Sequence, residues 1–167
     1  GKDGWFHTGD IGEFVNDKFL KITDRKKELF KTSGGKYVAP QPLENKYKEF
    51  PYIEQIMIIG ENRKFVSALI VPSFMNLREW CAKKELSNST NEEMIEHEEV
   101  IDLFQKAIEE FNEDINKVEQ AKKFKLLADE WSVESGELTP TMKVKRRVIL
   151  EKCKNEIEEL YGDQVYV

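Results

Sequence analysis

The densest concentration of groups able to handle an anion lies between Asp24 and Lys36, where Arg25, Lys26, Lys27, Lys31 and Lys36 put five cations into thirteen residues. The chain as a whole carries a formal charge of −6, so this local field opposes the global one and favours a negative ligand. Gly34 and Gly35 leave the backbone open to close approach and to positive φ, and Ser33 adds a hydroxyl beside them. The same residues equally describe a hairpin with a solvated basic face. Lys143, Lys145, Arg146 and Arg147 form a second basic cluster at the start of a helical pattern. There the helix dipole favours acidic residues by ~0.3–1 kcal/mol each, so the cluster is either an anion site or a solvated basic turn.

These residues need elements to hold them. Ile11–Val15 and Phe19–Ile22 flank Asn16-Asp17-Lys18 and read as a β-hairpin, with Asp10 just ahead of it. Residues 24–36 read as strand, turn and a second extended segment. A helix follows from Pro40 to about Phe50, ended by Pro51. Ile53–Ile59 and Phe65–Val71 are near-continuous apolar runs that predict paired core strands covered on both faces. Ser73 is a predicted N-cap for a helix to Lys84, and Thr90 to Glu93 fits a capping box. Val100, Phe104, Ala107, Ile108, Phe111, Ile115 and Val118 recur at helical spacing and predict a packing face. Phe124–Leu127 predicts a third core strand, and a last helix runs from about Lys145 to Tyr161.

With 167 residues, 40% apolar and 35% charged, the chain is globular and long enough to bury about 70% of its unfolded surface. The acidic balance, and the absence of aromatics interleaved with either basic cluster, argue against a nucleic-acid surface. No apolar run approaches the ~20 residues that span a bilayer. Two histidines and two widely separated cysteines give no zinc-ligand spacing, and reduced cytosolic thiols are the expectation. The start at Gly1, with Trp5 and Phe6 close behind and no methionine, reads as a piece of a longer chain.

Three ordered stretches resemble signatures of the acyl-adenylate-forming enzymes: Gly4-Trp-Phe-His-Thr-Gly-Asp10, Asp24 to Lys36, and Leu138-Thr-Pro-Thr-Met-Lys-Val-Lys-Arg-Arg147. The resemblance implies an α+β fold, in which a small mixed domain with an antiparallel sheet covered by helices follows a β-hairpin remnant of a large N-terminal domain. The boundary it implies puts residues 1–26 in the tail of the AMP-binding domain and residues 27–167 in a mobile C-terminal domain, with a helical insertion at about 73–134. It further implies that Lys143 is catalytic, bridging the acyl carboxylate and the α-phosphate. Asp10 would bind the ribose hydroxyls, Arg25 the ribose and phosphate end, and Lys36 the AMP. Lys27 would be the hinge, and Ser33, Gly34 and Gly35 would line the coenzyme A channel.

The common form of the last motif is Lys-Thr-x-x-Gly-Lys, whereas here Met142 precedes the lysine. That variant, with the helical insertion, is similar to the long-chain fatty acid branch of AMP-forming acyl-CoA ligases. The implied substrates are a long-chain fatty acid, ATP and coenzyme A, with Mg²⁺ held by the missing N-terminal domain and no metal held here. Neither the family's phosphate loop nor its Mg²⁺-binding glutamate is present, so the chain alone is expected to be folded but inactive. The implied setting is cytoplasmic, with peripheral membrane contact of the full-length protein left open. The alternative is a non-catalytic nucleotide- or CoA-binding module derived from the same fold.

Overall fold

The computed structural model describes Gly4, residues 10–16 and 18–25, and residues 29–162; for 10–13 and 21–25 it describes the backbone path. The predicted first hairpin is present. Strands β1 (Asp10–Val15) and β2 (Phe19–Arg25) pair antiparallel with a bulge between Ile11 and Gly12. A second, two-residue ladder joins β3 (Phe30–Lys31) to β4 (Tyr37–Val38). Its alternation follows the predicted parity, with Phe30 and Thr32 buried and Lys31 and Ser33 exposed.

Helix α1 (Pro40–Tyr47) opens on prolines at its first turn, where a missing N–H costs nothing, and buries Pro40, Leu43 and Tyr47. It leads to the central sheet, ordered β5 (Ile53–Ile59), β6 (Val66–Pro72) and β7 (Ala121–Leu126). Every residue of β6 is buried, Ser67 included, as its near-continuous apolar run requires of a strand covered on both faces. The expected antiparallel pairing joins β5 to β6, whereas β7 joins β6 in parallel. The parallel return needs a long crossover, which is supplied by α2 (Phe74–Lys83), α3 (Asn91–Glu96) and α4 (Glu98–Glu113). The stretch predicted as a helical insertion therefore also contains a strand of the core sheet.

Adjacent residues of β7 show how the layers lie. Phe124 stacks at 6.5 Å on Phe104 of α4, and Lys125 pairs at 2.7 Å with Glu159 of α6 (Lys154–Tyr161). Successive strand side chains point to opposite faces, so α4 and α6 cover opposite sides of the sheet. Helix α1 lies with α4 through Tyr47 against Phe111, and Phe50, just beyond the end of α1, packs against Phe104.

Four local expectations are corrected. Helix α4 stops at Glu113, so Ile115 and Val118 fall beyond it. Its end is set by Asn112, which accepts a hydrogen bond from the Tyr47 hydroxyl at 2.6 Å and donates to the Ala121 carbonyl at 2.9 Å, turning the chain toward β7. The last helix is two, α5 (Arg146–Lys152) and α6, separated at Cys153, whose ψ of 28° leaves the helical range. Ser73 occupies the N-cap of α2 without a side-chain bond. Thr90 caps α3 by accepting from the Glu93 amide at 3.2 Å, but Glu93 turns its carboxylate to the Ser87 hydroxyl instead of closing the box.

Candidate functional site

Two exposed turns carry most of the candidate residues. Between β3 and β4 the chain reverses through Ser33, Gly34 and Gly35, with the Thr32 amide bonded to the Lys36 carbonyl and the Gly35 amide to the Thr32 carbonyl, both at 2.9 Å. The buried Thr32 hydroxyl bridges to Lys36 on the inside of the turn at 3.3 Å. Only Gly35 takes the left-handed backbone, at φ +79°. At Gly34 a Cβ would lie 3.9 Å from the Thr32 hydroxyl, an ordinary contact, so the fold does not demand glycine there.

The turn is fastened to its neighbour. The Ser33 amide donates to the Arg63 carbonyl at 2.9 Å, and the Asn62 amide donates to the Lys31 carbonyl at 2.8 Å. Gly60 permits this approach: a Cβ there would lie 3.1 Å from the Phe30 ring and 3.2 Å from the Phe65 carbonyl oxygen.

Lys143 stands on the second turn. Thr139 donates its amide to the Lys143 carbonyl at 2.8 Å and accepts the Lys143 amide on its hydroxyl at 3.0 Å. The Met142 amide closes onto the Thr139 carbonyl at 2.8 Å, with Pro140 at the second position, where its fixed φ suits a tight turn. Leu138 pairs with Val144 below the loop, and burying Leu138 turns Lys143 outward into solvent. Met142 adopts φ +61°, the conformation that a glycine in the common form of the motif would take without strain.

The rest of the second basic cluster has a different role from the one expected. Arg146 donates at 2.6 Å to a Glu44 carboxylate oxygen and also to the Ile58 carbonyl, while the same Glu44 oxygen accepts the Ile58 amide at 2.8 Å. Arg147 pairs with Glu151 one turn along. Arg146 is held inside the fold, whereas Arg147 stays at the surface with Glu151, and α5 has only seven residues. Lys36 and Lys143 form no ion pair among the described residues.

Asp10 and Arg25 stand opposite one another in the β1–β2 register. Lys27 lies outside the described residues. No hydrogen bond or ion pair among the described residues joins the Ser33–Gly35 turn to the Lys143 turn. The sequence did not single out Thr139 as the clasp of the Lys143 turn, and Glu44 carried no signal of its tie to Arg146.

Below the Lys143 loop, Glu137 is buried and carries charge. Burial opposes ionisation, but hydrogen bonds from Lys152, the Ser135 hydroxyl and the backbone amides of Glu137 and Ser132 outweigh it and hold the carboxyl at about 2. The thiols are poor nucleophiles. Burial first, then the charges of Glu156 and Glu137, push Cys153 up to about 11, and burial raises Cys81. Among the described residues no group of three or more His, Cys, Asp or Glu could hold a metal ion, and no helix is long and apolar enough to cross a membrane.

The comparisons with known proteins place this small α+β structure in a family. The profile of the AMP-binding enzyme C-terminal domain matches residues 28–165, and the chain belongs to that family. It is 36% identical over 163 residues to long-chain-fatty-acid–CoA ligase FadD15 of Mycobacterium tuberculosis, covering 97% of this chain and 27% of that protein. It is 36% identical over 164 residues to long-chain-fatty-acid–CoA ligase 1 of Homo sapiens, covering 96% and 23%. The chain thus spans about a quarter of the length of these relatives. Among solved structures it is similar to the A domain of a carboxylic acid reductase from Segniliparus rugosus in complex with AMP and a co-purified carboxylic acid. The TM-score is 0.79 at 25% identity, over 99% of this chain and 24% of that one. The adenylation domain of a carboxylate reductase from Mycobacterium chelonae gives a TM-score of 0.78 at 26% identity, over 98% and 24%.

Proposed function

We propose that the full-length protein is an ATP-dependent, AMP-forming long-chain fatty acid–CoA ligase and that this chain is its C-terminal lobe. The observation that carries the reading is the Lys143 turn: a solvent-facing cation on a clasped loop, in a chain 36% identical along nearly its whole length to proteins named as such ligases. In the proposed reaction the fatty acid carboxylate attacks the α-phosphorus of ATP, pyrophosphate leaves, and the thiol of coenzyme A then displaces AMP from the acyl-adenylate.

The Lys143 ammonium holds the two mutually repelling anions together and stabilises negative charge gathering on the phosphoryl oxygens. Its loop is bonded before any ligand arrives, so little reorganisation accompanies the reaction. Asp10 offers two acceptor oxygens to the ribose hydroxyls, and Arg25 and Lys36 offer cations to the AMP. Rotation about Lys27, at the boundary between residues 1–26 and 27–167, would exchange the Lys143 turn for Ser33, Gly34 and Gly35. Those residues let the pantetheine arm pass close to the backbone. Mg²⁺ belongs to the domain outside this chain, where it would neutralise the pyrophosphate. The similarity to a solved domain in complex with AMP and a carboxylic acid supports the adenylation half. The reading places the protein in the cytoplasm and in lipid metabolism, with any peripheral membrane contact made by the full-length protein.

The test is fatty-acid-dependent ATP–pyrophosphate exchange by the full-length protein, over short to long acids, beside a Lys143→Ala variant. Exchange with long-chain acids that falls 10²–10³-fold in the variant is expected for loss of such a transition-state contact. No exchange with any acid would move the reading to a non-catalytic nucleotide- or CoA-binding module. The isolated 167-residue chain is expected to show none.

A further inference from the structure

The turn between β5 and β6, residues 60–65, is held from two sides. On one side it carries the glycine turn, since the Arg63 carbonyl accepts the Ser33 amide at 2.9 Å and the Asn62 amide donates to the Lys31 carbonyl at 2.8 Å. On the other stands Tyr161, the last residue of α6, buried to 3% exposure.

Tyr161 grips the turn at both ends and in the middle. A phenolic hydroxyl has one proton to donate. Here it lies between the carbonyl of Ile59, where the turn begins, at 3.3 Å and that of Phe65, where it closes, at 3.1 Å. The ring packs on Phe65 with 5.0 Å between centres, and the Arg63 guanidinium lies over it at 4.8 Å. Glu158, one turn back along α6, fixes Arg63 further at 2.6 Å.

Direct contacts thus run from α6 to the Ser33 tip: from the Tyr161 hydroxyl to the Phe65 carbonyl, along the turn to the Arg63 carbonyl, and on to the Ser33 amide. The Lys143 turn is built separately, on the Thr139 clasp and the Leu138–Val144 bridge. Resting on the reading of Ser33, Gly34 and Gly35 as the wall of the coenzyme A path, we propose that Tyr161 is a positioning residue for the thioester step. Its hydroxyl sets where residues 60–65 stand, and so how closely the glycine turn meets the pantetheine arm. Two glycines serve close approach of backbone to ligand, so a small displacement of the tip slows that step while Lys143 keeps its own clasp.

The test uses the full-length protein and Tyr161→Phe, which keeps the ring and removes only the hydroxyl. The two half-reactions are measured apart, as ATP–pyrophosphate exchange with a long-chain acid and as acyl-CoA formed from preformed acyl-adenylate. Thioester formation should fall roughly tenfold while exchange stays within about twofold of the parent. The Ser33 amide should exchange hydrogen faster than in the parent. Equal loss in both half-reactions would make Tyr161 a stabilising residue only and overturn the proposal. Gly34→Ala, assayed beside it, separates the two ideas. Impaired thioester formation in Gly34→Ala with a normal Tyr161→Phe would overturn the role of Tyr161 and leave the coenzyme A path in place. Normal thioester formation in both would remove the path and the role together. Should Tyr161→Phe fail to fold, Glu158→Gln carries the test: it removes the charge opposite Arg63 at an exposed position, and about a threefold loss in the thioester step alone is expected. No loss there would overturn the proposal.

Discussion

Arg146 and Glu44, 102 positions apart, meet at 2.6 Å with the backbone of Ile58 between them. Their side chains retain only 22% and 13% of their exposure, so removing one partner strands a half-buried charge and an edge amide together. We expect Glu44→Ala to cost ~3 kcal/mol, and Arg146→Ala a similar amount. The double variant should lose much less than the sum. Urea midpoints of the four proteins give the cycle, and additive losses would show that the two act independently.

Glu137 gives the acid limb of the stability curve a definite position. Its carboxyl is held at about 2, against 4.5 for an ordinary glutamate. Its contribution is therefore complete above about pH 4.5 and is lost as pH falls through 2. By linkage the full shift is worth up to ~3 kcal/mol. Glu137→Gln should lower the melting temperature at pH 7 and narrow its gap to the parent between pH 5 and 2. A gap independent of pH would assign the loss to packing.

Gly34 and Gly35 should separate folding from function. Gly35→Ala forces a side chain onto φ +79° and should destabilise by ~1 kcal/mol. Gly34→Ala meets no close atom and should leave stability within about 0.5 kcal/mol. In the full-length protein it should nevertheless impair thioester formation, measured as acyl-CoA produced from preformed acyl-adenylate, while pyrophosphate exchange stays at the parent rate. Normal thioester formation in Gly34→Ala would remove that turn from the coenzyme A path.

Met142 holds a left-handed conformation next to Lys143. A β-branched residue tolerates that poorly, so Met142→Val should destabilise by ~1–2 kcal/mol relative to Met142→Gly. The readout is the difference in denaturant midpoint between the two variants. Equal midpoints would mean that the loop takes another shape.

Much of this was legible in the residues. Near-continuous apolar runs gave β5 and β6, Pro40 and Pro51 bracketed α1, and Thr90 announced α3. Three motif stretches in order identified the family. What stayed hidden depended on partners distant in the chain. Nothing local to Asn112 says that it ends α4 by bonding Tyr47 and Ala121. Gln55 looks like a surface polar residue of a strand, yet its amide both donates to and accepts from the Trp131 backbone. The direction of β7 could not be read either, because short apolar segments pair in either sense. Arg146 misled for the same reason, since its counter-charge sits on Glu44, 102 positions away.

The two backbone bonds between residues 31–33 and the Asn62–Arg63 turn run in opposite directions, and such a reciprocal pair resists both shear and peeling. The tip at Ser33 is consequently a pointer rigidly mounted on the sheet rather than a flap with its own hinge. Any reorientation of the domain would carry that tip through the same angle, so one spectroscopic label there would read the attitude of the whole body.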